Sequence, residues 1–78
     1  MKQGIKRSAF IGNNIRVSRL SKNLTQEELA AKIQLHGCDI SRGTLAKIEV
    51  GIRNLSLDEL NALKTVLNIS YDDLFATK

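Results

Sequence analysis

Helix start and stop signals follow one another so closely along this chain that they leave little room for any other structure. Thr25-Gln26-Glu27-Glu28 and Ser56-Leu57-Asp58-Glu59 are both capping boxes. In each, a hydroxyl and a carboxylate satisfy one another's backbone N–H groups at the start of a helix. Ser41 and Ser70 are further N-cap residues, and Asp72 and Asp73 suit the positive end of a helix opened by Ser70. Asn23, Gly37, Gly51 and Asn68 supply the stops, being residue types that tolerate left-handed backbone. Between these signals the pattern has helical spacing. It puts Phe10 or Ile11, Ile15 and Arg19 on one face, then Leu29, Ala30 and Ile33, then Leu45 and Ile48. Leu57, Leu60, Leu63 and Leu67 form the next face, and Leu74 and Phe75 the last. The prediction is an all-α, compact five-helix bundle. Its first helix covers residues 8–22, and its second ends near Leu35 or His36.

Composition removes several classes of function. At 78 residues the chain holds one small domain, expected over residues 9–78 behind a basic arm over residues 1–8. Cys38 is the single cysteine, so no intrachain disulfide staples the fold, which suits a reducing, cytoplasmic setting. No apolar run approaches the roughly 18 residues of a membrane span, and no signal-peptide core follows Met1-Lys2-Gln3-Gly4-Ile5-Lys6-Arg7. Phe10, Tyr71 and Phe75 are too few aromatics for a base-stacking platform. His36 and Cys38 lack the third and fourth ligands of a zinc site, so no metal or cofactor is expected. Asp72 and Asp73 look like first-turn helix charges, not a catalytic dyad, and no nucleophile–base order stands out. The chain is not expected to be an enzyme.

The net charge of +4 is unevenly placed. Residues 1–55 hold ten Lys/Arg against four Asp/Glu, or +6, while residues 56–78 hold two against four, or −2. A polyanion would therefore meet the first part of the chain, leaving the last helices for subunit contact.

Leu24-Thr25-Gln26-Glu27-Glu28-Leu29-Ala30 followed by Ser41-Arg42-Gly43-Thr44-Leu45-Ala46-Lys47-Ile48-Glu49-Val50-Gly51 resembles the Cro/repressor type of helix-turn-helix. This is the group often called xenobiotic-response-element-like. The likeness continues through Arg53 to Leu60 and Leu67 to Phe75, so nearly all of Ile11–Phe75 is covered. Any one piece is a weak signal, but the ordered set is strong. The resemblance implies a lambda-repressor-like fold whose helices 2 and 3 form the helix-turn-helix. This chain departs from the pattern in one place. Seven residues, Gln34 to Ile40, separate Ile33 from Ser41, more than the family usually places there. One extra turn on helix 2, Gly37, and a longer connection with Ile40 packed inward would accommodate them.

On that resemblance the third helix enters the major groove and its N-terminal residues meet base edges. Arg42, Gly43, Ala46 and Lys47 are then the base-contacting set. The fork of Arg42 suits O6 and N7 of guanine, and Gly43 lets the backbone approach closely. Gln26, Thr44, Arg53 and Asn54 would contact phosphates. Each also has a plainer reading: a solvated charge for Arg42, a surface helix residue for Gln26, a local bond to Ser41 for Thr44, and a solvated loop for Arg53 and Asn54. The resemblance also makes Arg19 and Glu49 a structural ion pair between the first and third helices.

The expected function is sequence-specific binding of double-stranded DNA by a small transcriptional regulator, most simply a repressor. One recognition helix reads few base pairs, so a homodimer on a two-fold operator is expected, joined through Tyr71, Leu74 and Phe75. Val17 and Leu20 are candidates for the same surface. The alternative is a helix-turn-helix fold serving as a protein–protein adaptor or antitoxin-like module.

Overall fold

In the computed structural model, which describes residues 3–76 and side chains from Phe10 to Ala76, five helices follow in order. They are α1 (Gln3–Ser21), α2 (Gln26–Leu35), α3 (Arg42–Glu49), α4 (Leu57–Leu67) and α5 (Tyr71–Leu74), with no strand among the described residues. None of these helices is long and apolar enough to cross a membrane.

The starts follow the hydroxyl signals. Thr25, Ser41, Ser56 and Ser70 are the N-caps of α2 to α5, each in extended backbone with its side chain accepting an N–H from the first turn. Both capping boxes are closed by their glutamates, Glu28 and Glu59. The stops lie in left-handed backbone: Asn23 at φ 59°, Gly37 at 88°, Gly51 at 83° and Asn68 at 55°. One boundary differs from the sequence pattern. Helix α1 begins at Gln3, well before residue 8. Gln3, Lys6, Arg7 and Ala9 are good helix formers and no proline interrupts them, so the periodic segment propagates backward. An arm over residues 1–8 therefore does not end where the helix starts. The side chains of Lys2, Lys6 and Arg7 lie outside the described residues.

The core is a single cluster of Ile15, Leu29, Ile33, Ile40, Leu45, Ile48, Leu63, Leu67 and Leu74, all essentially without solvent contact. Leu57 is not part of it and stands 70% exposed. At 100° per residue it lies about 120° around the α4 axis from Leu63, so the apolar spacing overstated the buried stripe. Ile40 explains how the long connection between α2 and α3 is held. It is fully buried, and its carbonyl accepts a bond from Gln34 Nε2 at 2.9 Å.

Gly12 fixes how α1 meets α3. A Cβ there would lie 2.1 Å from the carbonyl oxygen of Ile48 and 2.9 Å from that of Glu49, so only glycine permits this backbone approach. Gly12, Ile15 and Arg19 follow at i, i+3 and i+7, one stripe of α1. At the other side of α1, Asn14 Nδ2 donates to the carbonyls of Leu74 at 2.8 Å and Ala76 at 2.7 Å, tying the end of α5 in place.

Candidate nucleic-acid interface

Helix α3 has two unlike sides. Leu45, Ile48 and Glu49 are buried, whereas Arg42, Gly43 and Lys47 are exposed and Ala46 is half-buried. At 100° per residue those last four residues fall within about 140° of arc, so they share one outward strip. Among the described residues the side chains of Arg42 and Lys47 have no hydrogen-bond or ion-pair partner, although the Lys47 carbonyl accepts from Ile52 and Arg53. The strip therefore presents two free cations flanking two small residues.

The other end of α3 is anchored. Arg19 Nε donates to Glu49 Oε2 at 2.7 Å and Arg19 Nη2 donates to Glu49 Oε1 at 3.1 Å, with both side chains under 10% exposed. Arg19 Nη1 completes the guanidinium's contacts by donating to the Leu24 carbonyl at 2.8 Å. Gln26 joins the same network, its Nε2 donating to Glu49 Oε1 at 3.0 Å. A carboxylate on α3 thus ties together α1, the loop before α2, and the first residue of α2. Two charges removed from water are tolerable only with such complete pairing, and no buried side-chain polar atom among the described residues lacks a partner.

The resemblance implies a phosphate contact for Gln26. One of its amide N–H groups is committed to Glu49, leaving the second N–H and the carbonyl oxygen. Thr25 caps the N–H of Glu28, while helix geometry leaves those of Gln26 and Glu27 without intrahelical acceptors. Thr44 is half-buried and takes part in the cap of α3, its N–H donating to Ser41 Oγ at 3.1 Å and its Oγ1 accepting from the same hydroxyl.

Arg53 is neither a solvated loop charge nor free. Its Nη1 and Nη2 donate to both carboxylate oxygens of Glu59, at 2.9 and 2.8 Å, and Nη1 also reaches the Asn54 carbonyl at 3.1 Å. The bond from Arg53 holds the Glu59 carboxyl below its ordinary range, with the backbone N–H of Ser56 adding to the effect. The same pairing raises the Arg53 pKa. Asn54 is exposed beside this clamp.

The surface assigned to a subunit partner needs one correction. Leu74 is fully buried, because the Asn14 bonds draw α5 onto α1 and turn Leu74 into the core, so it has no surface to offer. Tyr71 and Phe75 are 39% and 45% exposed, with ring centroids 6.1 Å apart and planes within 14° of parallel. Lys64 Nζ lies 5.0 Å over the Tyr71 ring, and the Tyr71 hydroxyl donates to Asn61. Phe10 and Val17, both exposed, flank Asn14 along α1.

Residue types alone missed three of these features: the Gln26–Glu49 bond, the Arg53–Glu59 clamp and the close approach at Gly12. An isolated glycine inside a helical pattern was the available signal for the last. Glu59, already named as a capping residue, had spare acceptor capacity for Arg53. His36 and Cys38 line a shallow polar groove between the long connection and α4, where the Cys38 thiol donates to the Asp58 carbonyl at 3.5 Å.

The helix-turn-helix family profile matches residues 15–74, from the core residue Ile15 to Leu74. The chain is also 39% identical over 66 residues to Control protein C.BamHI of Bacillus amyloliquefaciens, a match that covers 83% of this chain and 75% of that protein. No solved structure matches it. With five helices among the described residues, two of them forming an anchored pair with a free outer strip, the chain belongs to the Cro/repressor-type helix-turn-helix family of DNA-binding regulators.

Proposed function

We propose that this protein is a sequence-specific double-stranded DNA-binding repressor that lays the N-terminal half of α3 in the major groove. The observation that carries the reading is the two-sided character of α3. Its inner face and C-terminal end are fixed by core packing and Glu49, while Arg42 and Lys47 stay unpaired on the outside. Arg42 in the first turn suits a guanine edge, Ala46 and Gly43 admit close approach, and Lys47 reaches a base or a phosphate. Thr44, Asn54 and the open amide and backbone groups of Gln26 meet phosphates. Arg53 shapes its loop through Glu59 and faces phosphate with what remains of its guanidinium. Similarity to a protein named a control protein supports a regulatory task. A domain of this size acts by occupying its site in the cytoplasm, as a homodimer whose surface is built on Tyr71 and Phe75 and whose half-sites lie one helical turn apart.

The test is site selection from random DNA followed by anisotropy titrations at several salt concentrations. A recovered palindrome bound with a steep salt slope is the expected result. Arg42→Ala should relax discrimination at one base position by about 1–3 kcal/mol, whereas Asn54→Ala should weaken all sequences alike. Recovery of no preferred sequence would refute the reading and favour the adaptor role.

A further inference from the structure

Of Gly12, Gly37, Gly43 and Gly51, Gly43 is the one whose place the fold itself does not explain. Gly12 is required by the carbonyl of Ile48, and Gly37 and Gly51 sit in left-handed backbone. Gly43 lies in ordinary α-helix, and a Cβ there would meet only Ser41 Oγ at 3.9 Å, a normal van der Waals contact. An alanine would fit and would favour the helix. Helix α3 has eight residues, and a helix that short can least spare propensity. The reason for the glycine therefore lies outside the chain.

Its neighbours indicate what that reason is. At 100° per residue Gly43 and Ala46 sit side by side on α3, between Arg42 on one flank and Lys47 on the other. The result is a bare strip, one hydrogen and one methyl deep, bordered by cations. An apolar group projecting from a base edge fits such a strip, and in the major groove the thymine C5-methyl is that group.

We infer that the Gly43–Ala46 strip is a specificity-determining element that seats a thymine methyl beside the base pair read by Arg42, and that Gly43 lacks a side chain to make room for it. This rests on the DNA-binding reading above and names what that surface selects. The strip excludes any wider group at this depth, so position 43 tunes sequence choice without donating a hydrogen bond.

The experiment pairs Gly43→Ala with deoxyuridine in place of each thymine of the selected site, one at a time. Gly43→Ala should raise the melting temperature by about 2–8 °C, since the new methyl meets nothing inside the chain. It should also weaken binding to the thymine-containing site at least tenfold. For the unmodified protein, one thymine per half-site should lose about fourfold in affinity on conversion to deoxyuridine, the worth of one buried methyl. At that same position deoxyuridine should restore much of the affinity lost by Gly43→Ala, because removing one methyl makes room for the other. A uniform loss in Gly43→Ala that no deoxyuridine relieves would overturn the inference while leaving DNA recognition intact. So would unchanged affinity. Failure to select any site would overturn both.

Discussion

Replacing Glu49 by alanine should remove close to half of this domain's stability. Three donors converge on the Glu49 carboxylate, Arg19 Nε, Arg19 Nη2 and Gln26 Nε2, at 2.7, 3.1 and 3.0 Å. Its side chain is 1% exposed and that of Arg19 8%, so water cannot take over as acceptor. In Glu49→Ala the guanidinium keeps only the Leu24 carbonyl. Breaking one side of a buried pair typically costs about 3–5 kcal/mol. At about 0.05–0.15 kcal/mol per residue, a 78-residue domain holds roughly 4–12 kcal/mol in all. For a chain of this size each kcal/mol moves the melting temperature by about 4–8 °C, giving an expected fall of about 12–40 °C. Far-UV circular dichroism against temperature, with urea unfolding at pH 7, measures it. The double variant Arg19→Met with Glu49→Leu removes both charges together and should recover most of the loss. It should still bind DNA less well, because Gln26 has lost the acceptor that orients it. A melting curve for Glu49→Ala within a few degrees of the parent would refute the reasoning, as would a double variant no more stable than the single one.

Three further outcomes follow from single contacts. Gly12→Ala should destabilise by about 3 kcal/mol or more in urea unfolding, despite the better helix propensity of alanine, because its Cβ would lie 2.1 Å from a backbone oxygen. Because Arg53 holds the folded Glu59 carboxyl below its ordinary value, that pair contributes stability above the unfolded carboxylate range, near pH 4, and loses it as pH falls through the depressed folded value. Glu59→Gln should therefore melt lower than the parent at pH 7 and converge with it toward acid, whereas a constant gap across the titration would exclude the pair as its source. Tyr71→Glu together with Phe75→Glu should shift sedimentation toward the monomer and weaken operator binding while leaving the circular dichroism spectrum unchanged, since both rings are part-exposed and neither belongs to the core.

What the sequence made legible was local. Each hydroxyl cap and each left-handed stop acts within four residues of itself, so Thr25, Ser41, Ser56, Ser70, Asn23 and Asn68 could be read where they stand. Periodicity found the buried faces of α2 and α3 because these are narrow and uninterrupted. It failed at Leu57, where spacing of three residues repeated along a helix drifts off the buried stripe. It did place Leu74 on an apolar face, but could not say that this face turns into the core and not toward a partner, because the bond that seats α5 comes from Asn14, sixty positions earlier. The same distance problem hid Gln26 from Glu49. Nothing in either residue type states that the two helix ends meet, and an amide at the first position of α2 fits a phosphate and a carboxylate equally well. Arg53 shows the limit from the other side. A cation in a loop has no spacing rule, and its partner emerges only once the turn from Gly51 to Ser56 brings the end of α3 back beside α4.

The connection between α2 and α3, residues 36–41, is long for a helix-turn-helix, and the contacts around it show how its length is accommodated. A loop sets the angle between two helices only if no tertiary contact does. Here α3 is placed by the backbone approach at Gly12, by Leu45 and Ile48 in the core, and by Glu49 joined to Arg19 and Gln26. All of these act on the inner face or the C-terminal end of α3, and none passes through residues 36–41. The connection is itself pinned by buried Ile40 and by the Gln34 bond to its carbonyl, so the added length is taken up as a packed turn and not as slack. Lengthening such a connection costs little extra closure entropy, since that cost grows only logarithmically with length. The outward strip from Arg42 to Lys47 thus inherits its orientation from α1 and α2 directly, which leaves the residues of the connection free to vary without moving that strip.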